Sequence, residues 1–242
     1  MRLIISIDIG EKNLGWSTAR FEYEGSTSER IDIKDITFES GVYDFKSRRG
    51  DSIVMKRIFA LQEWCGKVIR DDDELEAAIV ERQVGMRNEV AMQLMYAVAS
   101  MLAMKTSNIV IFDPKRKFTV IGQQYCTKNK QHKKQSIINM KRMLSSRMNA
   151  GFEQLELAMG MAKKQDDIAD SFNQLIVQMV VWDKLVQNLD DIKQIYNDKK
   201  DGVNKDKDDI EGSDDKAKHK RAKRIEKTRV DKKKIEKRSP RL

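Results

Sequence analysis

Two apolar runs in this chain each end on a carboxylate, and that repeated pattern constrains the fold more than any other feature. The first run, residues 3–7, is β-branched and nearly continuous, and Asp8 follows it directly. The second run, residues 77–80, ends on Glu81 in the same way. Continuous apolar runs of this length are typical of central strands covered on both faces. A carboxylate at the end of such a strand is costly unless a metal ion, a basic side chain or backbone N–H groups lie beside it.

The rest of the chain alternates predicted strands with predicted helices, which indicates a mixed α/β domain. Strands are expected over residues 2–9, 14–23 and 32–44, and their close spacing predicts an antiparallel meander. Two further strands are expected over residues 74–84 and 107–114. Helices are expected from Asp51 or Ser52 to residue 70, over 88–104, over 136–148, and from near 165 to near 186. Residues 115–135 are interpreted as a basic connection, and no internal repeat is visible.

The charge of the chain is unevenly distributed along its 242 residues, although the net value is +9. Residues 216–242 carry 14 lysines and arginines against 3 acidic residues, whereas residues 197–215 carry 8 acidic and 4 basic residues. Residues 1–196 are therefore nearly neutral, so composition alone does not make the folded part a nucleic-acid binder. We expect an α/β domain over 1–196 and a charged, basic tail over 197–242 that is disordered or conditionally helical.

The two cysteines, Cys65 and Cys126, are far apart and lack metal-type spacing. Such sparse cysteine predicts reduced thiols in an intracellular protein. No stretch approaches the roughly 20 apolar residues that cross a membrane. Because the first predicted strand begins at once, we expect no signal peptide and no organelle presequence.

The last predicted helix carries further carboxylates, Asp166, Asp167 and Asp170. Residues three or four apart share a helix face, so Asp170 can lie beside either of the other two. If these acids meet Asp8 and Glu81, the cluster repels and its pKa values rise unless divalent cations neutralise it. Oxygen ligands select Mg²⁺ or Mn²⁺. Two such ions can support an in-line phosphoryl displacement, which is the chemistry of many nucleases.

Each acid taken alone also has a simpler interpretation. Asp8 fits a turn or cap residue, and Glu81 fits an ion pair with Arg82 or a neighbouring lysine. Asp166 and Asp167 fit the first turn of a helix, where the macrodipole favours negative charge. The nuclease interpretation therefore depends on the combination of acids and on their order along the chain.

Four short motifs add a family resemblance. They are D-I-G-x-K-N-x-G-W over 8–16, V-E-R-Q over 80–83, K-K-Q-S-I-I-N-M over 133–140 and D-D-I-A-D-S-F-N over 166–173. With these motifs in this order, residues 3–186 resemble the poxvirus Holliday junction resolvases, of the RuvC-like branch of the ribonuclease H-like superfamily. The resemblance implies a ribonuclease H-like α/β fold, in which a five-stranded mixed sheet combines an antiparallel meander with parallel strands and is flanked by helices.

The resemblance also implies an activity and a set of site residues. It implies a homodimer that binds branched DNA and nicks two strands of a four-way junction symmetrically with Mg²⁺, which Mn²⁺ is expected to replace. The catalytic, metal-binding acids carried over are Asp8, Glu81, Asp167 and Asp170, with Asp167 preferred to Asp166 because the family pattern is D-x-x-D. Lys134, with Lys133, is implied near the scissile phosphate, where an ammonium offsets developing charge. The expected place of action is an infected cell, at the site of viral or phage DNA replication, without a membrane partner or a small-molecule cofactor.

Basic residues around the expected catalytic edge are predicted to contact DNA phosphates, which gives affinity without sequence readout. They are Arg82, Arg87, Lys115, Arg116, Lys117, Lys128, Lys130, Lys133, Lys134, Lys141 and Arg142. His132, in the same segment, is interpreted as a surface residue. Residues 82–87 contain no aromatic side chain, so no strand-separating wedge is identified there.

Three other functions are compatible with parts of the pattern. A nuclease of the same fold could act on another branched or hybrid nucleic acid, because junction choice depends on dimer geometry. The D-I-G opening is also similar to the first phosphate loop of actin-like phosphotransferases and ATPases. That family needs a second D-x-G turn and a Gly-Gly adenosine loop, and neither occurs here. A DNA-binding module without catalysis is disfavoured, since it would gain affinity by losing the acids.

Overall fold

The computed structural model describes residues 1–23, 30–45, 53–83, 88–125, 129–146, 152–162 and 164–197. These residues belong to one unit, Met1–Asp198. The predicted tail lies outside the described residues from position 198 onward, and its boundary with the folded domain stays a prediction.

Five strands form one mixed sheet. They are β1 (Arg2–Ile9), β2 (Asn13–Phe21), β3 (Thr37–Asp44), β4 (Glu74–Glu81) and β5 (Ile109–Phe112), in the order β3-β2-β1-β4-β5. The first three strands form the predicted antiparallel meander, and β4 and β5 run parallel to β1. This order and these directions are those of the ribonuclease H-like fold, so the predicted fold class is confirmed.

Helices cover both faces of this sheet, as the continuous apolar runs predict. They are α1 (Ile53–Val68), α2 (Glu89–Ala103), α3 (Arg116–Thr119), α4 (Asn129–Ser145), α5 (Phe152–Met161), α6 (Gln165–Val181) and α7 (Leu189–Asn197). Successive side chains of a strand point to opposite faces. Leu3, Ile5 and Ile7 accordingly pack with α1 and α2, while Ile4 packs in the core that α4 to α7 cover. None of the helices in the described ranges is long and apolar enough to cross a membrane.

Several element boundaries differ from those expected, each for a local reason. β3 begins at Thr37 rather than 32, because Ile33–Asp35 forms a 3-10 turn whose preceding Asp32 side chain accepts a hydrogen bond from the Lys34 N–H. α4 begins at Asn129, inside the expected connection. Its first turns are rich in Lys and Gln, which favour helices without producing an apolar stripe.

The last predicted helix ends earlier than expected, and a separate helix, α7, follows it. α6 ends at Val181, and Asp183 adopts a positive φ of 57°. The N–H of Asp183 donates to the Val180 carbonyl and that of Lys184 to the Met179 carbonyl, which is the Schellman ending. Glycine is usual at this left-handed position. Because Asp183 stands there instead, no signal in the sequence marked the end of the helix. α5, with Phe152, Leu155 and Met159 buried, was also not expected.

Candidate active site

The ends of β1 and β4 form one wall of a cleft of about 670 Å³. The two strands are parallel, and Ile7 and Val80 are the last residues that they pair. Asp8 and Glu81 directly follow these two residues and therefore lie at the same edge of the sheet. Asp167 and Asp170 of α6 also line the cleft, so the structure brings together all four predicted acids.

Glycine at position 15 allows α6 to approach β2 closely enough to deliver its acids. A Cβ atom on Gly15 would lie 2.3 Å from the Asp167 carbonyl oxygen, which is closer than any real contact of that kind. This close approach of the two backbones explains why the second glycine of the first motif, Gly15, is required for packing.

Buried polar contacts hold α6 in register with the sheet. The hydroxyl groups of Ser17 and Ser171 are 2.9 Å apart, and that of Ser17 is 2.7 Å from the Ser40 hydroxyl. Gln174 is fully buried, and its amide nitrogen lies 3.4 Å from the carbonyl oxygens of both Ile7 and Ile79. α6 is therefore tied to β1 and β4 just before Asp8 and Glu81.

Lys117 lies at the centre of the acid cluster. Its ammonium is 2.9 Å from Glu81 Oε2 and 2.8 Å from Asp170 Oδ1, and the side chain is only 3% exposed. The sequence predicted this residue as a surface contact to DNA, whereas the structure buries it among the carboxylates. β5 ends at the same edge as β1 and β4, and Lys117 follows it. Because Lys117 stands five residues beyond the end of β5, inside a basic segment, no sequence signal distinguished it from its neighbours.

The pKa values in the cluster show that its negative charge is only partly balanced. Burial raises the pKa of Asp8 well above its ordinary value, and the charges of Glu81 and Asp170 raise it further. Burial also raises the pKa of Glu81, although the Lys117 ammonium opposes that rise. Burial on its own lowers the pKa of Lys117, but Glu81, Asp170 and Asp8 outweigh this effect and raise it. One buried ammonium thus faces three carboxylates.

Asp167 is held by two side chains that the sequence analysis did not single out. The amide nitrogen of Asn13 donates to Asp167 Oδ2, and the Lys164 ammonium donates to Asn13 Oδ1 over 2.6 Å. Burial, followed by the charge of Asp166, raises the pKa of Asp167. Asn13 stands in the first motif, so its position at the start of β2, directly after the turn that follows β1, was the available signal.

Asp166 and two lysines of α4, Lys133 and Lys134, lie beside the cluster. Asp166 forms an ion pair with Lys133, which lines the cleft. Lys134, implied near the scissile phosphate, is half-buried next to it on α4.

The donor set suits a hard divalent cation, although the side chains do not enclose one here. Among the described residues, no three His, Cys, Asp or Glu side chains converge closely enough to hold a metal ion. The Lys117 ammonium occupies the space between Glu81 and Asp170 instead. Asp170 Oδ1 is buried and faces that ammonium at 2.8 Å. An anionic cluster of carboxylate oxygens of this kind fits Mg²⁺ or Mn²⁺ by its chemistry.

The predicted DNA contacts are spread over the rim of the cleft and α4. Arg82 lines the cleft and pairs with Asp113 over 2.8 Å, and the Arg142 guanidinium donates to the Tyr196 carbonyl. Arg87 and Lys128 lie outside the described residues. The exposed members of the set are Arg82, Lys115, Lys130 and Lys141, and the half-buried ones are Arg116, Lys133, Lys134 and Arg142. His132, interpreted as a surface residue, is instead half-buried and lines the cleft.

Solved structures with a similar backbone fold include three junction resolvases. The fowlpox virus resolvase, in complex with Holliday junction DNA, is 18% identical, with a TM-score of 0.45 over 74% of this chain and 98% of that one. Thermus thermophilus RuvC is 13% identical, with a TM-score of 0.39 over 74% and 96%. The yeast mitochondrial Holliday junction resolvase Ydc2 is 13% identical, with a TM-score of 0.49 over 80% and 81%.

A family model supplies the assignment. No curated protein matches the chain. The family model described as Poxvirus A22 protein matches residues 2–182, which include all four acids and all four motifs. This match confirms the resemblance to the poxvirus Holliday junction resolvases, a family of endonucleases, and it disfavours the actin-like alternative. The chain belongs to the Poxvirus A22 protein family.

Proposed function

We propose that this protein is a DNA endonuclease that resolves four-way junctions by paired, Mg²⁺-dependent nicking. It acts as a homodimer in the infected cell, where viral DNA is replicated. The observation that carries the proposal is the convergence of acids from β1, β4 and α6 on one cleft, in a chain that belongs to the Poxvirus A22 protein family.

Asp8, Glu81, Asp167 and Asp170 are the residues that would hold the metal. Two bound Mg²⁺ ions would neutralise charge at the attacked phosphate and lower the pKa of the attacking water. The chain itself contributes a rigid arrangement of carboxylates at the end of a parallel strand pair, with α6 fixed against it by Gly15 and Gln174.

The lysines near the acids have separate roles in this proposal. Lys117 balances part of the carboxylate charge, because it is buried and paired with Glu81 and Asp170. Lys134 and Lys133 lie on α4, where an ammonium can offset the charge that develops on the phosphate. The exposed Lys115, Lys130 and Lys141 are suited to phosphate contacts along the arms of the junction.

The test is incubation of the full chain with Mg²⁺ and labelled four-way, three-way and linear duplex DNA. We expect paired nicks confined to the four-way junction. Asp8→Asn or Asp170→Asn should abolish nicking while junction binding is kept or strengthened, since negative charge is removed beside the DNA. Asp190→Asn is the matched control, because that acid on α7 is 88% exposed and lies outside the cleft.

Two results would overturn the proposal. Normal nicking by Asp8→Asn or Asp170→Asn would show that these acids are not the catalytic ones. Preferential cleavage of an RNA–DNA hybrid or a replication fork would support a nuclease function but contradict the proposed substrate.

A further inference from the structure

Two aromatic rings line the same cleft as the acids without a part in the proposed chemistry. Tyr125 follows α3, and His132 lies in the first turns of α4. Their rings are nearly parallel, with an interplanar angle of 20° and centroids 5.8 Å apart. This separation belongs to an offset pair rather than a full overlap, so each ring keeps part of its face uncovered.

The pair has a rigid support beneath it. Phe118 is 1% exposed, and its ring centroid lies 5.8 Å from that of Tyr125 and 6.4 Å from that of His132. Tyr125 and His132 themselves are only half-buried. The two rings are therefore fixed from behind and open towards the cleft.

The surroundings of the pair suit a nucleic acid. The Lys115 ammonium lies 5.9 Å from the centroid of the Tyr125 ring, and Lys133 lines the cleft beside His132. Flat π faces and nearby ammonium groups are the groups with which proteins hold an unpaired base and its phosphate.

We propose that Tyr125 and His132 form a stacking site for an unpaired nucleobase beside the nicked phosphate. This inference rests on the proposed function, because a base at a branch point can leave its stack more easily than one inside a continuous duplex. Stacking on an aromatic face tolerates every base, so the site would select a distorted branch point rather than a sequence.

The experiment measures stacking and affinity separately, with the full chain in buffer without divalent cations. Four-way junctions carry single 2-aminopurine substitutions at successive positions of the branch point. We expect the fluorescence of one position to be quenched on binding, because a stacked 2-aminopurine emits less than an unstacked one. Tyr125→Leu should remove this quenching and weaken junction binding about 5- to 100-fold. Tyr125→Phe keeps the ring and should retain both, and Tyr96→Leu, an exposed tyrosine of α2, is the matched control.

A change on the DNA side completes the test and needs no altered protein. An abasic site at the quenched position should weaken binding by the unsubstituted protein, and Tyr125→Leu should then cause no further loss. Tight junction binding with no quenching at any position, or with full affinity in Tyr125→Leu, would overturn the stacking site and leave the proposed function standing. Failure of the unsubstituted protein to prefer the four-way junction would overturn both.

Discussion

Asp8 is a carboxylate in surroundings that disfavour its charged form. Burial and the charges of Glu81 and Asp170 raise its pKa, and Lys117 opposes that rise only in part. Acids whose pKa values are shifted in this way concentrate at functional sites, where the arrangement needed for catalysis lowers the stability of the fold. Asp8 therefore connects the proposed metal site with a measurable effect of pH on folding.

That effect can be isolated by replacing Asp8 with asparagine. The folded-state pKa lies above the ordinary value of 3.8, so the folded protein keeps the proton to higher pH than the unfolded chain does. Asp8 consequently destabilises the metal-free protein as pH rises above that value. In a chelating buffer, Asp8→Asn should be more stable to urea than the unsubstituted protein at about pH 7.5, and this advantage should shrink towards about pH 4. A difference in unfolding free energy that does not change with pH would contradict the prediction.

Asn13 acts on the site through Asp167, which accepts a hydrogen bond from its amide. Outer partners of metal ligands commonly contribute 10- to 100-fold to metal affinity or activity. Asn13→Ala should raise the Mg²⁺ concentration for half-maximal nicking by about 10- to 100-fold, while junction binding without metal stays unchanged. An unaltered Mg²⁺ requirement would show that Asp167 needs no such support.

At the scale of elements, the close approach of β2 and α6 positions half of the acid cluster. Gly15→Ala should destabilise the protein by about 1–3 kcal/mol, because the added methyl group forces the α6 backbone away. The chain offers a matched control in Gly66 of α1, where an added Cβ meets nothing within 4 Å. Gly66→Ala should stabilise the protein by about 0.5–1 kcal/mol, since alanine favours a helix interior. Urea unfolding of both variants measures the contrast, and equal effects would contradict it.

Elements with a strong local sequence pattern could be predicted, and those without one could not. β1 and β4 were predictable together with their terminal acids, because parallel buried strands have continuous apolar runs that end at one edge. The burial of Lys117 could not be predicted. It depends on where β5 and α3 place this residue, and in the sequence Lys117 resembles the other lysines of a basic segment. α7 was missed because Asp183 ends α6 at a position where glycine is usual.

At the scale of the molecule, a buried ionic network closes the end of the sheet opposite the cleft. Arg20 is 1% exposed, pairs with Asp73 over 3.1 Å and with Glu39 over 2.6 Å, and donates to the Val68 carbonyl over 2.5 Å. It pairs across the sheet with Leu3, at the start of β1, whereas Asp8 lies near the end of that strand. The network therefore joins β2, β3 and the connection between α1 and β4 without touching the acids.

This separation predicts a variant that loses stability without losing the site. Arg20→Met should lower the free energy of unfolding by about 3–5 kcal/mol, because Asp73 is left buried without its guanidinium. Lys193→Met removes an exposed pair with Asp190 on α7 and should cost less than about 1 kcal/mol. Nicking per folded Arg20→Met molecule should equal that of the unsubstituted protein below its unfolding temperature. A selective loss of nicking would show that the two ends of the sheet are coupled.

The central claim is that carboxylates from β1, β4 and α6 hold divalent cations in one cleft. Anomalous diffraction from crystals of the full chain grown with Mn²⁺ tests it most directly. The account predicts anomalous density in contact with the carboxylates of Asp8, of Glu81 and of an acid on α6. It also predicts that the Lys117 ammonium is displaced from its position between Glu81 and Asp170. Crystals that contain Mn²⁺ elsewhere but none in this cleft, with Lys117 still paired to both acids, would contradict it.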